Sequence, residues 1–595
     1  MLRCVVVLAV WLAGASALPS QAQTTSDSPS SATAAARALD SLFASEWERG
    51  LREAPERASS HGDTRYDDRW SDLSFSAIAA REAADRSALE RLHAIDRAAL
   101  SPDQQLNYDT FEWLAQHAIE RQKFREYLRP VDHKHGPQLD DGIAELMPLH
   151  VTGDYRQYLA RMAALPVMID QVIELMKEGA KTANTPPRVL MERVPAQIAA
   201  QIVDDPAKSP FYRPFLKLAD DISAADRAAL QAQAQSTIRE QLVPAFRKLQ
   251  SYIKDEYLPR TRTSVAAAEL PDGRAYYEFL VRFQTTTNLS VDQIHEIGLK
   301  EVARLRAAME QLKTDIGFKG ALREFFIYLR NDPKFFYRTA DELLNAYRAI
   351  AKRIDPELVR VFRTIARQPY GVREIPANAA PDTTTAYYQP GAADGARAGY
   401  YYVNLYKPES RPTWEMMPLT LHEAVPGHHS QFARALELPA APMFRRTAYF
   451  VAYGEGWALY AEQLGYDMGL YDDPYDHFGQ LTYEMWRAVR LVVDTGLHAK
   501  GWSREQAIAY FKDNAAKTDL DIVNEVDRYI GDPAQALAYK IGQMKISELR
   551  ARARRALGSK FDLRDFDDAV LATGSVPLTA LEVRIDDWIA ERKAH

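Results

Sequence analysis

Between residues 291 and 312, the positions Val291, Ile294, Gly298, Val302, Leu305, Met309 and Leu312 recur every three or four residues. That is the spacing of one face of an amphipathic helix. In front of them, Ser290-Val-Asp-Gln293 places a serine cap with glutamine three positions on, which satisfies two orphan backbone donors reciprocally. Similar starts occur at Ser101-Pro-Asp-Gln104, which also has a first-turn proline, at Thr339-Ala-Asp-Glu342 and at Ser503-Arg-Glu-Gln506. Ser223-Ala-Ala-Asp226 opens a long helix running towards Tyr257. The pattern predicts a mainly α chain. One region departs from it: Thr383 to Gln389 (TTTAYYQ) and Gly399 to Tyr406 (GYYYVNLY) are β-rich runs. They flank Pro390-Gly-Ala-Ala-Asp-Gly395, a turn-rich connection, and predict a hairpin or short sheet. No fixed-period repeat and no glycine-rich nucleotide loop is present.

Composition narrows the class. The 595 residues are 47% hydrophobic and 26% charged, an ordinary globular mix that excludes a wholly disordered chain, a collagen and a coiled-coil rod. Lys and Arg number 74 against 81 Asp and Glu, a net charge of −7, which argues against a dedicated nucleic-acid binder. Residues 1–22 (MLRCVVVLAVWLAGASALPSQA) join a short positive start to an apolar run and small residues, the pattern of a cleaved signal peptide. The run is shorter than the about 20 residues that a membrane span needs, and no later stretch is apolar enough. The single cysteine, Cys4, lies inside this segment, so the mature chain has neither thiol nor disulfide. It is also too early to be a lipid-modified cysteine closing an apolar run. A tether over 23–37 follows, then a helical region over 38–260 and a catalytic region over 261–595. The stretches Leu258–Thr263 and Glu269–Gly273 are the candidate boundaries. The reading is a secreted or periplasmic protein without a membrane span after cleavage. Its oligomeric state is not encoded legibly.

Chemistry concentrates in LTLHEAVPGHHSQF, residues 419–432. His422-Glu423 opens like the zinc-peptidase pattern H-E-x-x-H, in which two histidines one helical turn apart reach one metal and the glutamate activates water. Here His428 and His429 follow His422 by six and seven residues. On an ideal helix, six steps leave His428 about 120° off the face of His422, and seven leave about 10 Å of axial rise. Pro426-Gly427 offers the way out, since proline breaks the helical hydrogen bonding and glycine frees the backbone. A bulge at Val425-Pro426 would return His428 to the place of the second ligand, with His429 as the alternative. Downstream, YGEGWALYAEQLG (453–465) carries Glu455 and Glu462 on one predicted helical face among bulky apolar residues. Two histidines and a glutamate with water in the fourth position make a catalytic zinc shell. Glu462 can orient a ligand histidine from behind.

These motifs resemble the domain-of-unknown-function 885 family over nearly the whole mature chain. The resemblance rests on His422-Glu-Ala-Val-Pro-Gly-His-His429, Glu455-Gly-Trp-Ala-Leu-Tyr-Ala-Glu462 and Asp494-Thr-Gly-Leu-His498. It also covers Arg528-Tyr529 with Gly531 to Gly542, and upstream Ala58-Ser-Ser-His-Gly-Asp-Thr-Arg-Tyr66. The family is similar to helical gluzincin peptidases such as thimet oligopeptidase, the thermostable carboxypeptidases and angiotensin-converting enzyme. That implies a large helical clamshell with a deep cleft and a small sheet beside the metal, and one zinc per chain. It further implies a histidine and a tyrosine downstream of the glutamate ligand as oxyanion donors, here His498 with Tyr529 or Tyr539.

The resulting expectation is a zinc metallopeptidase with metal ligands His422, His428 and Glu455, and Glu423 as general base. An edge strand at Tyr387–Gln389 or Tyr400–Asn404 would take the peptide, with Tyr388, Tyr401 and Arg528 as substrate contacts. Arg490, Arg528 and Lys540 are candidates for holding a substrate carboxylate. Two other readings use the same residues: a zinc amidohydrolase acting on a non-peptide or cell-wall amide, and a non-catalytic periplasmic binding protein with a vestigial metal site. Substrate sequence, and endopeptidase against carboxypeptidase or dipeptidase action, are not separable.

Overall fold

The computed structural model describes residues 31–376, 380, 384–391, 397–438 and 441–594. The signal segment at 1–22 lies outside them. So does most of the tether, but its end is corrected: helix α1 runs Ser31–Glu53. Alanine-rich sequence favours helix there, and Leu39, Leu42 and Phe43 bury on one side of it. The structure is 72% helical with one small sheet. After α1 come α2 (Pro55–Ser60), α3 (Phe75–His93), α4 (Pro102–Gln122) and the long α5 (Thr152–Lys181). One hydrophobic core, drawn from residues between Trp70 and Tyr257, surrounds α5. Another is drawn from residues between Ala267 and Ile589.

The helix read from the 291–312 pattern is α6 (Val291–Asp315). The reciprocal caps expected at Ser101, Ser290, Thr339 and Ser503 all form. Each such cap contributes about 1 kcal/mol. The site-bearing helices follow: α7 (Met416–Glu423), α8 (His428–Leu436), α9 (Val451–Met468), α10 (Pro474–Ala499), α11 (Asp519–Gly531) and α12 (Ala538–Leu557). The apolar face of α6 packs on α10, where Val302, Leu305 and Met309 share a core with Val489 and Val492. Gly298 permits this closeness, since a Cβ there would lie 2.7 Å from Leu491 Cβ.

Strands β1 (Tyr370–Glu374), β2 (Ala386–Gln389) and β3 (Gly399–Val403) make a sheet of order β1-β3-β2. The expected hairpin is the antiparallel β2–β3 pair, with Tyr388 opposite Tyr401. Part of its connection, 392–396, lies outside the described residues. β1 adds in parallel to the other side of β3. It escapes the sequence reading because Tyr-Gly-Val-Arg-Glu has no alternation to mark it. β3 is therefore central, which corrects the edge role expected for Tyr400–Asn404; among the described residues one edge of β2 is unpaired. The sheet lies against α7 and α8.

Candidate metal centre

Helix α7 reads MMPLTLHE and every residue in it is buried. The chain leaves it at Ala424 (φ −96°, ψ −112°), and after Gly427 (φ −75°, ψ −127°) starts α8 at His428. The expected bulge inside one continuous helix is thus corrected to a break between two. Pro426 cannot donate a helical hydrogen bond and clashes with the turn behind it. Gly427 then folds back over the end of α7: a Cβ there would lie 1.9 Å from the His422 carbonyl oxygen and 2.4 Å from that of Leu421. Trp457 fixes the crossing by donating its Nε1–H to the Pro426 carbonyl at 2.8 Å. His428 returns beside His422, ring centroids 4.9 Å apart.

Helix α9 brings Glu455. Its Oε2 lies 3.5 Å from Nε2 of His422 and 3.5 Å from Nε2 of His428. One donor atom from each residue falls within 4.8 Å of the others. The height of α9 is set by backbone contact with α12. A Cβ on Gly456 would sit 2.5 Å from Gly542 Cα, and one on Gly542 would sit 1.8 Å from the Ala452 carbonyl oxygen. Two turns beyond Glu455, Glu462 Oε1 accepts a 2.8 Å hydrogen bond from His422 Nδ1. That places the ring hydrogen on Nδ1 and turns the Nε2 lone pair towards Glu455. Arg487 of α10 stands 3.6 Å from the same Glu462 oxygen.

Burial works against charge on His422, but Glu455 and Glu462 override it and raise the imidazole pKa to about 9. Burial would likewise raise the Glu455 carboxyl, yet His428 and His422 hold it well below the usual carboxylate range. The point between these side chains favours positive charge. Two imidazoles and a carboxylate converging there, with a second carboxylate behind one ring, fit a divalent metal that takes nitrogen and oxygen ligands. Glu423, one residue after His422, is 9% exposed. Among the described residues its carboxylate has no hydrogen-bond or ion-pair partner, so both oxygens are free for chemistry.

The other expected site residues are placed less simply. His429 points to the sheet: its Nδ1 accepts from the Tyr388 hydroxyl at 2.8 Å, and its ring lies 4.8 Å from that of Tyr370. Burial lowers its pKa to about 4, so it remains neutral. We expect His428→Ala to release a bound metal and His429→Ala to retain it, measured as metal per chain after gel filtration. Tyr401 is fully buried in the central strand, which corrects its role as a substrate contact.

His498 is also corrected as an oxyanion donor. It is fully buried, its Nδ1 accepts from the Ala267 N–H at 3.0 Å, and its Nε2 donates to the Tyr529 carbonyl at 2.9 Å, so no donor remains. Tyr529 is committed as well, donating to Glu525 at 2.7 Å and accepting from Arg490 at 3.0 Å. Arg528 binds Glu525 at 3.1 Å and Gln535 at 2.6 Å. Lys540 is held by Glu484 at 2.7 Å and Glu301 at 2.9 Å. Tyr539, in contrast, is only half-buried, under the Arg490 guanidinium at 4.4 Å from the ring centroid. Burial and then the Glu455 charge raise its phenol pKa.

One residue was missed. Tyr449, just before α9, donates its hydroxyl to Glu455 Oε1 at 3.0 Å. It lies outside any periodic pattern, so spacing carried no signal for it.

The architecture is shared with solved structures. A provisionally assigned lipoprotein from Colwellia psychrerythraea is 28% identical, with a TM-score of 0.88 over 94% of this chain and 99% of that one. A provisionally assigned lipoprotein of unknown function from Shewanella oneidensis is 17% identical, with a TM-score of 0.70 over 92% of this chain and 99% of its own. Metallocarboxypeptidase 1 of Trypanosoma cruzi, at 10% identity and a TM-score of 0.37 over 95% of this chain and 96% of its own, is too distant to support any conclusion. No curated protein sequence matches the chain. The sequence matches a bacterial family of unknown function, DUF885, over residues 55–585. With the match running from α2 into the last helix, the chain belongs to the DUF885 family.

Proposed function

We propose that the protein is an exported zinc-dependent hydrolase that cleaves peptide bonds. The observation that carries this reading is the convergence of His422, His428 and Glu455 beside an unpartnered Glu423. Zinc, when bound, supplies Lewis-acid polarisation of a carbonyl and acidification of water. Glu423 accepts the proton of the attacking water on its free carboxylate and passes it to the leaving amine. Glu462 keeps His422 in the tautomer that presents Nε2. The phenol of Tyr539, beside Glu455, is the donor available to a developing oxyanion, whereas that of Tyr449 is spent on Glu455 Oε1. The edge of β2 that is unpaired among the described residues, next to α7, supports an extended peptide as substrate.

Export is supported by the pattern of residues 1–22 and by the lipoprotein assignments of the two solved neighbours. No helix among the described residues is long and apolar enough to cross a membrane.

The test is metal analysis of the purified chain together with peptide hydrolysis before and after chelation. We expect about one zinc per chain, loss of hydrolysis on chelation, and recovery on adding zinc. Hydrolysis that survives complete metal removal would refute the reading, as would a zinc-loaded protein inert to every peptide.

A further inference from the structure

A cavity of about 940 Å³ lies between α1, α3, α4 and the segment that leads into α9. Ligand sites span roughly 300–1,000 Å³, so this one is large. Tyr449 forms part of its wall, and the Tyr449 hydroxyl is the group that donates to Glu455. Tyr449 is therefore common to the cavity wall and the candidate metal centre, whose residues His422, Glu423, His428 and Glu455 do not themselves line the cavity. Phe43, Phe111, Phe283 and Phe444 give much of the wall an aromatic surface.

Its charges are mostly spent on one another. Arg49 is held by Glu46 at 2.7 Å, Glu53 at 2.9 Å and Asp85 at 2.8 Å. Arg121 lies 3.5 Å from Glu126, and Arg81 donates to the Asp72 carbonyl at 2.7 Å. Arg57 differs. Among the described residues its guanidinium has neither a carboxylate nor a hydrogen-bond acceptor, and it lies 5.4 Å from the centre of the Trp47 ring. His61 sits on the same indole, ring centroids 5.2 Å apart. Burial and the Arg57 charge lower the His61 pKa, leaving Arg57 as the cation at this place.

The support is rigid. Fully buried Arg161 donates to Ser59 Oγ at 3.0 Å, to the Tyr66 carbonyl at 2.9 Å and to the Arg69 carbonyl at 3.0 Å. Asp67 lies 3.7 Å from it. Arg161 thus pins the Ala58–Tyr66 stretch, a motif for which the hydrolytic machinery has no use. Arg57 itself is exposed on the cavity wall; an unpartnered guanidinium beside an aromatic ring, carried on a pinned backbone, is a carboxylate receptor in form.

We infer that Arg57 and Trp47 form a subsite for a carboxylate on the peptide that occupies this cavity, borne by an acidic side chain or by the free C-terminus. As a statement about substrate, this rests on the hydrolase reading; as a statement about binding, it does not.

The experiment uses the zinc-loaded full chain, Arg57→Gln and Arg57→Lys, with four matched peptides. One has an acidic side chain and an amidated end, one is neutral with a free C-terminus, one is neutral and amidated, and one carries lysine and is amidated. Binding is measured by calorimetry under Glu423→Gln, and KM and kcat are measured with Glu423 intact. We expect Arg57→Gln to weaken binding and raise KM for at least one carboxylate peptide by about 10- to 100-fold. We expect kcat to be unchanged, the neutral amidated peptide to be unaffected, and Arg57→Lys to be intermediate. Which carboxylate peptide responds identifies the source of the charge. Equal affinities in parent and Arg57→Gln would overturn the inference. So would a parent preference for the lysine peptide, which would assign recognition to Glu82, a wall carboxylate without an ion-pair partner among the described residues. If no peptide is hydrolysed but the Arg57-dependent affinity difference persists, the hydrolase reading fails and the carboxylate subsite stands.

Discussion

Glu423→Gln is expected to keep zinc at the parent level and to lose about 10²- to 10⁴-fold in peptide turnover. The substitution preserves shape and removes only the basic oxygen. Nothing in the protein leans on that carboxylate, because it has no hydrogen-bond or ion-pair partner among the described residues, so stability should change little. His422→Ala differs in kind. It removes one of the three converging donors and strands Glu462, which would then be a fully buried carboxylate facing Arg487 alone. Metal and turnover should both disappear, with a loss of stability of about 1–3 kcal/mol from the buried Glu462 oxygen left without its His422 donor. Metal content and single-turnover rates on both variants decide the matter. Equal zinc loss in the two would mean that Glu423 is a ligand and not the base.

The second large effect is expected far from any reacting atom. Gly427→Ala should destroy the metal centre, because the new methyl would need to stand 1.9 Å from the His422 carbonyl oxygen. The obstacles are backbone atoms of α7, so no side chain can swing aside. Either the α7–α8 crossing opens and carries His428 away from Glu455, or the region fails to fold. The cost should be about 3 kcal/mol or more. Gly142→Ala is the control, since a Cβ there meets nothing within 4 Å. Zinc content and thermal unfolding of the two variants give the comparison. Full zinc occupancy in Gly427→Ala would show that the crossing tolerates relaxation.

The helices were legible because their starts are local: Ser290 and Gln293 cap each other whatever the rest of the chain does. The convergence of the candidate ligands was nearly legible for a similar reason. His422, Glu423, Glu455 and Glu462 follow helical spacing, and the Pro-Gly pair marked where the spacing fails. What spacing could not convey was the form of that failure, a clean break in place of a bulge, because it depends on Gly427 meeting the carbonyl of His422 in space. His498 shows the opposite limit. Its position downstream of the ligands suggested catalysis, whereas its two nitrogens serve the backbone of Ala267 and Tyr529, partners 231 and 31 positions away. β1 was missed because its order comes from pairing with β3 and not from its own residues.

The crossing of α9 and α12 bears on how this protein can change. Most packed pairs of helices absorb a substitution on one side by a compensating one on the other, since a larger residue can be met by a smaller one. Gly456 and Gly542 leave no such reserve. Each already faces the smallest residue available, and behind Gly542 stands the carbonyl of Ala452, which no change of side chain removes. A second-site suppressor of a substitution at either glycine therefore cannot come from the opposing position. It would have to part the two helices, and one of them, α9, carries Glu455.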